Sequence, residues 1–120
     1  MSDWYARNFT HDEMACKCCG KQAMDPAFMR KLQKARDAAG IAFEINSGYR
    51  CEVHNKAVGG KDNSSHRRGC AVDMRADNPH TREVISAALT SAGFTRRGVA
   101  SNFIHVDDDP EKTHQQRWLY

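Results

Sequence analysis

Two segments of this sequence carry helix signals at both ends, and they constrain the fold more than any other feature. Asp25-Pro26 supplies an aspartate N-cap and a proline at the first helical position. Phe28, Leu32, Ala35 and Ala39 then recur at helical spacing, and Gly40 stops the run. Asn78-Pro79 opens a second helix by the same signal, which turns Val84, Ile85, Ala88, Leu89 and Ala92 inward and ends at Gly93. Thr10-His11-Asp12-Glu13 has capping-box form and predicts a short helical turn.

Around these helices lie short alternating segments. Residues 42–47, 70–75, 94–97 and 102–107 read as strands. The stretch 48–69 is polar and glycine-rich, with Gly59-Gly60 in its middle, and reads as one long structured loop. Long loops in compact domains are commonly functional or disordered. This one runs through a histidine just before the next strand, which favours function. The order of elements predicts an α+β fold, a small antiparallel sheet flanked by helices.

A chain of 120 residues, without repeats or linker-like tracts, is expected to form a single domain over 1–120. No apolar run approaches the ~18 residues that span a bilayer, so no membrane insertion is expected. Met1-Ser2-Asp3-Trp4-Tyr5 lacks the charged start and apolar stretch of a signal peptide, and synthesis in the cytoplasm is the expectation. The formal net charge is only +3, and basic residues are scattered apart from Arg67-Arg68 and Arg96-Arg97. A nucleic-acid binder shows a denser basic stripe with interleaved aromatics, so none is expected as a partner.

Three of five cysteines crowd into Cys16-Lys17-Cys18-Cys19, while Cys51 and Cys70 stand alone. The odd count and irregular spacing do not resemble a secreted disulfide framework. Free thiols in a reducing compartment are the first reading, and a disulfide from the cluster to Cys51 the second. A second, structural zinc ranks last; its four ligands could come only from the cluster with Cys51 or a histidine.

The chemistry concentrates in Ser64-Ser65-His66-Arg67-Arg68-Gly69-Cys70-Ala71-Val72-Asp73. His66 sits just before a predicted strand, and Asp73 lies within it, on the face opposite Val72. The last predicted strand places Phe103, His105 and Asp107 on one face. If the two strands are neighbours, His66, Asp73 and His105 can converge. Two imidazoles and a carboxylate, with a position left for water, form the ligand set of a catalytic zinc site. Spacing alone leaves open an aspartate that pairs with an arginine and a histidine that is merely hydrogen-bonded.

The run Ser64-x-His66-x-x-Gly69-x-Ala71-x-Asp73 resembles, position by position, the signature of the zinc D-alanyl-D-alanine carboxypeptidases and related peptidoglycan endopeptidases, which share a fold with the hedgehog signalling domain. Asn8-Phe9-Thr10 with Glu13, Ile45-Asn46-Ser47-Gly48-Tyr49-Arg50, His54-Asn55, Val58-Gly59-Gly60 and Phe103-Ile104-His105-Val106-Asp107 extend the resemblance over most of the chain. Small stand-alone members of this kind are common among phage endolysins. The resemblance implies one catalytic zinc ion on His66, Asp73 and His105, with peptidoglycan peptide as substrate. It implies a monomer that reaches the cell wall through a separate lysis pore.

Arg50 resembles the family arginine that holds the substrate carbonyl or terminal carboxylate, a task suited to a guanidinium fork. An ordinary salt bridge is its alternative. Ser64 reads either as a hydrogen-bonding residue beside the metal loop and substrate or as a plain turn residue. Many relatives carry an acid three residues before the last zinc histidine, or a histidine two before it. Here those positions are Asn102 and Phe103. Asp107 is then the candidate general base, with a role in orienting a zinc histidine as the equal alternative. Asp108 and Asp109 read as solvated, His54 and His80 as surface residues within possible reach of substrate. Trp118 and Tyr120 read as covering the core or lining the cleft rim. A non-catalytic zinc module of the same fold, used for wall binding or as a phage structural part, is the competing functional reading.

Overall fold

At the head of the first long helix, the Asp25 carboxylate accepts a hydrogen bond from the Phe28 N–H at 3.1 Å, as its type and place predict. The computed structural model of the chain describes residues 6–61, 64–112 and 116–120. The reading of Met1 to Tyr5 therefore lies outside the described residues, as do positions 62 and 63 of the expected loop.

In chain order the elements are α1 (His11–Met14), α2 (Pro26–Ala39), β1 (Ile45–Ser47), α3 (Glu52–Ala57), a 3-10 turn (Ser65–Arg68), β2 (Ala71–Arg75), α4 (Pro79–Ser91), β3 (Arg96–Val99), β4 (Phe103–Asp107) and β5 (Gln116–Leu119). Thr10 and Glu13 exchange both bonds of a capping box at α1. Asn78 caps α4 through the Thr81 N–H at 2.9 Å. The strands form one sheet in the order β1-β2-β4-β3-β5. Its first three pairings are antiparallel, and β3 with β5 is parallel. The fold is α+β, as expected, with one parallel edge that an all-antiparallel reading omits.

The two long helices pack together and cover one face of the sheet. Phe28, Met29 and Leu32 from α2 and Ile85 and Leu89 from α4 are fully buried with Val72, Met74, Ile104 and Val106 from the two central strands. Burying each such side chain stabilises the fold by roughly 1.5–3 kcal/mol before entropy is counted. The period of two in β2 and β4 thus sends Val72, Met74, Ile104 and Val106 to the core and leaves Asp73 and His105 on the opposite face.

Several expectations need correction, beginning with the strand read over 42–47, which is confined to Ile45–Ser47. The stretch 48–69 is not a continuous loop, because it holds α3 and the 3-10 turn. A helix of six residues has no room for an apolar repeat, and the cap of α3 is the Cys51 sulfur rather than an oxygen. The third strand begins at Arg96 instead of Phe94. The Phe94 N–H closes the end of α4 on the Leu89 carbonyl at 3.0 Å, and its ring packs edge-on to Phe28 at 5.6 Å. Finally, β5 was not expected: Gln116, Arg117 and Leu119 are exposed, so no alternation marks the strand. Among the described residues no helix is long and apolar enough to cross a membrane.

Candidate metal centre

His66 reaches the sheet from the 3-10 turn. The Ser64 hydroxyl caps that turn by accepting from the His66 N–H at 3.3 Å. Gly69 ends the turn in the left-handed region, at φ +71°, where a Cβ would stand 2.0 Å from the Ala23 carbonyl oxygen. His66 is buried, and its Nδ1 stands 2.8 Å from the Gly48 carbonyl. A carbonyl only accepts, so Nδ1 donates to it and Nε2 is the nitrogen turned toward Asp73. That Nε2 lies 3.4 Å from Asp73 Oδ1.

Asp73 and His105 are direct partners in the antiparallel β2–β4 register. His105 Nδ1 lies 2.8 Å from the same Asp73 Oδ1, and one donor atom from each of the three residues lies within 4.8 Å of the others. On its far side His105 Nε2 meets Asp107 Oδ2 at 2.8 Å. Each histidine is therefore held at its outer nitrogen and presents its inner one to Asp73. That is the arrangement in which a second partner orients a metal-binding imidazole. Two nitrogens and one oxygen converging in this way form a donor set that fits zinc.

The charges are balanced within the cluster. Burial pushes the Asp73 carboxyl up, yet the hydrogen bonds and charges of His105 and His66 draw it well below the usual carboxylate range. Burial disfavours charge on His105, but hydrogen bonds to Asp107 and Asp73 raise its pKa. Asp107 is also held low: its burial is outweighed by His105 and by Arg96. Arg50 closes the other side of Asp73, with Nη2 3.5 Å from Oδ2. The Arg50 fork is steadied by the Ser47 hydroxyl at 3.3 Å and by Asn55 Oδ1 at 3.2 Å.

Sheet register explains what surrounds the centre. Ser47, Asp73, His105, Gly98 and Trp118 are successive partners across all five strands. A Cβ on Gly98 would lie 2.2 Å from Trp118 Nε1, so the glycine is what lets the indole lie across the sheet, with its ring 5.7 Å from His105. Tyr120 continues this edge against Phe103 at 5.0 Å. One row further, Ala71, Asp107, Arg96 and Gln116 align in the same way. Arg96 Nε donates to Asp107 Oδ1 at 2.7 Å, and Arg96 Nη1 to Gln116 Oε1 at 3.2 Å. The Asp107 side chain is 1% exposed, with both oxygens engaged.

Arg96 and Asn55 are parts of the site to which the sequence reading assigned no role. The signal for Asn55 was its place in the His54-Asn55 stretch of the resemblance; for Arg96 there was none. Of the two surface histidines, His80 is exposed in the first turn of α4, while His54 is half-buried in α3. Asn102 is exposed, and its backbone carbonyl accepts from the Ala76 N–H at 2.9 Å.

Asp109 is not solvated as expected but buried, accepting from the Ser65 hydroxyl at 2.7 Å and pairing with Arg68. It ties the end of β4 to the turn that carries His66. Asp108 is exposed and pairs with Lys31 at 3.3 Å. Burial pushes the Asp109 carboxyl up, and the Arg68 bond, the Glu111 N–H and Ser65 more than reverse it, so its pKa is lowered. A carboxyl whose folded pKa is depressed contributes stability above its unfolded value of about 3.9, lost as pH falls through the folded value. In urea titrations at stepped pH, the wild-type midpoint is expected to fall below about pH 4 more steeply than that of Asp109→Asn, which lacks this proton uptake.

Two imidazoles and one carboxylate on an α+β frame, with an arginine beside the carboxylate, make a candidate metal-binding centre. The family model described as Peptidase M15 matches residues 7–107, and the chain belongs to that family, which is zinc-dependent. Comparison with curated proteins returns no match.

Proposed function

We propose that this chain is a zinc peptidase that hydrolyses peptide bonds in the stem peptides or cross-links of bacterial peptidoglycan. The observation that carries the reading is the convergence of His66, Asp73 and His105 donor atoms within 4.8 Å, with Arg50 beside Asp73, in a Peptidase M15 chain. His66, Asp73 and His105 would hold the zinc ion, which would supply a water with its pKa lowered toward ~7 and Lewis-acid polarisation of the scissile carbonyl. The other steps fall to the protein. Gly48 and Asp107 keep the outer protons of His66 and His105 in place, so that both inner nitrogens remain donors. Arg50 offers its guanidinium to a substrate carbonyl or terminal carboxylate, and Asn55 and Ser47 hold it in position for that task. Trp118 and Tyr120 form one wall of the cleft rim. Asp107 orients His105 rather than acting as the general base, because its side chain is 1% exposed and its oxygens face Arg96 and His105.

The substrate is met in the cell wall, reached through a separate lysis pore as in phage endolysins, and the chain acts as a monomer. Purified protein incubated with peptidoglycan, with and without a chelator, tests the reading. Mass spectrometry of the released muropeptides should show zinc-dependent cleavage, and would identify the bond. No cleavage in either arm, with zinc retained on the protein, would favour the second reading, a non-catalytic zinc module of the same fold. Two features support that alternative: an asparagine at 102, where many relatives carry an acid, and the engagement of Asp107.

A further inference from the structure

The cysteine cluster lies apart from the His66 centre, and its geometry reverses the order in which the sequence ranks its uses. After α1 the chain folds into a tight turn. The Cys16 N–H donates to the Lys21 carbonyl at 2.7 Å, and the Gly20 N–H to the Cys16 carbonyl at 2.8 Å. Gly20 sits at φ +74°, the left-handed conformation that closes such a turn. Cys51 arrives at the same place from the other direction, as the cap of α3.

The sulfurs of Cys18 and Cys51 are 3.3 Å apart, those of Cys16 and Cys51 3.5 Å, and those of Cys16 and Cys18 3.8 Å. With Cys19 included, all four sulfurs lie within 4.8 Å of one another. Four thiolates placed about 2.3 Å from a central zinc in a tetrahedron stand about 3.8 Å apart. A disulfide requires sulfurs at about 2.0 Å, and none of the five cysteines is so joined. Two backbone N–H groups also point at sulfur: Cys51 donates to Cys16 Sγ and His54 to Cys51 Sγ, both at 3.4 Å. Hydrogen bonds of this kind favour the thiolate form that a metal needs. Core packing does not account for the cluster either, since Cys18 and Cys19 are exposed.

We propose that Cys16, Cys18, Cys19 and Cys51 hold a second zinc ion as a closed tetrathiolate site. With four protein ligands and no open position, such a site is structural. It joins the loop after α1 to the start of α3, directly beside Arg50 in the chain. Because Asn55 of α3 holds the Arg50 guanidinium, the ion would also position Arg50 against Asp73. The spacing departs from the usual paired Cys-x2–4-Cys pattern, and the Cys16–Lys21 turn is what gathers three ligands from four consecutive residues.

The proposal is independent of the peptidase reading, and its test can be kept separate from activity. Reduced protein stripped of metal is titrated with zinc, and alkylation of each cysteine is followed by mass spectrometry. Cys18 and Cys19 should react rapidly without zinc and be protected with it, while Cys70 should respond the same way in both. Metal analysis of the wild-type chain should show one zinc ion that tracks the thiol protection, whatever the content of the His66 centre. His66→Ala should keep that ion and the thiol protection. Cys51→Ser should lose one ion and the protection together. A cobalt-substituted sample should show thiolate-to-cobalt charge-transfer absorption that survives in His66→Ala. Unchanged alkylation of Cys18 and Cys19 on adding zinc would overturn the proposal, as would a disulfide within the cluster in protein purified under reducing conditions. If Cys51→Ser does not fold, the wild-type alkylation result still decides.

Discussion

Replacing Asp73 by asparagine should leave the protein with one metal ion fewer per chain and reduce peptide hydrolysis by more than about 10³-fold. Losing one electrostatic donor at a reacting centre costs about 10²–10³ in rate, and under the proposed function the loss would extend to the ion that would supply the nucleophile. Asp73 is the shared partner of the cluster: His105 at 2.8 Å, His66 at 3.4 Å and Arg50 at 3.5 Å all face its two oxygens. An amide of the same shape cannot balance those groups. It remains neutral, and it presents N–H donors where a metal needs an anionic oxygen. The checks are metal content by elemental analysis and turnover on a defined muropeptide at saturating substrate. An Asp73→Asn protein that keeps its full metal content and rate would exclude the His66–Asp73–His105 centre. Arg50→Lys should behave differently, with zinc retained and KM raised, because the cation remains while the two-pronged fork is lost.

Which parts of this molecule can be read from its sequence follows from how local their causes are. The caps at Asp25 and Asn78 act within a turn of the chain, so both long helices appear with nearly their observed ends. In the strands carrying Asp73 and His105, Val72, Met74, Ile104 and Val106 mark the face sealed by α2 and α4, although Ala71 and Asp107 on the other face are buried as well. The resemblance names His66, Asp73 and His105 as candidate donors, whereas spacing alone needs β2 and β4 to be neighbours, which only the register supplies. Elements with no buried stripe left no such trace. β5 shows one half-buried residue in four, and α3 relies on a sulfur cap. The Arg96–Asp107 pair depends on the β3–β4 register, which the sequence does not state in advance. The burial of Asp109 likewise depends on Ser65 and Arg68 arriving from more than forty positions earlier. The cysteines are the sharpest case. Cys16, Cys18 and Cys19 can be recognised as a group, but their meeting with Cys51 depends on a contact across 35 positions of chain.

That same dependence on register makes Asp107 the residue whose replacement separates two mechanisms. As an orienting group, it fixes the proton on His105 Nε2 and thereby keeps Nδ1 available for the metal. Asp107→Asn should then weaken zinc binding by about 10–100-fold, the usual effect of losing an outer partner of a metal-bound histidine. Activity restored with excess zinc should keep the wild-type pH profile in shape. As a general base, Asp107 would instead leave zinc affinity intact, lower kcat by about 10²–10⁴ and remove the acidic limb of the profile. Stability gives an independent reading of the same residue. Arg96 and Asp107 have side chains 10% and 1% exposed, and removing one member of a buried pair leaves the other charge uncompensated. Asp107→Ala should therefore lose about 3–5 kcal/mol in denaturant unfolding. Pairing Asp107→Asn with Arg96→Gln removes both charges and keeps a hydrogen bond, so it should recover much of the stability lost in Asp107→Ala. It should not recover zinc affinity, because an amide at 107 no longer dictates which His105 nitrogen holds the proton. Recovery of both together would show that Asp107 matters to the centre only through the fold.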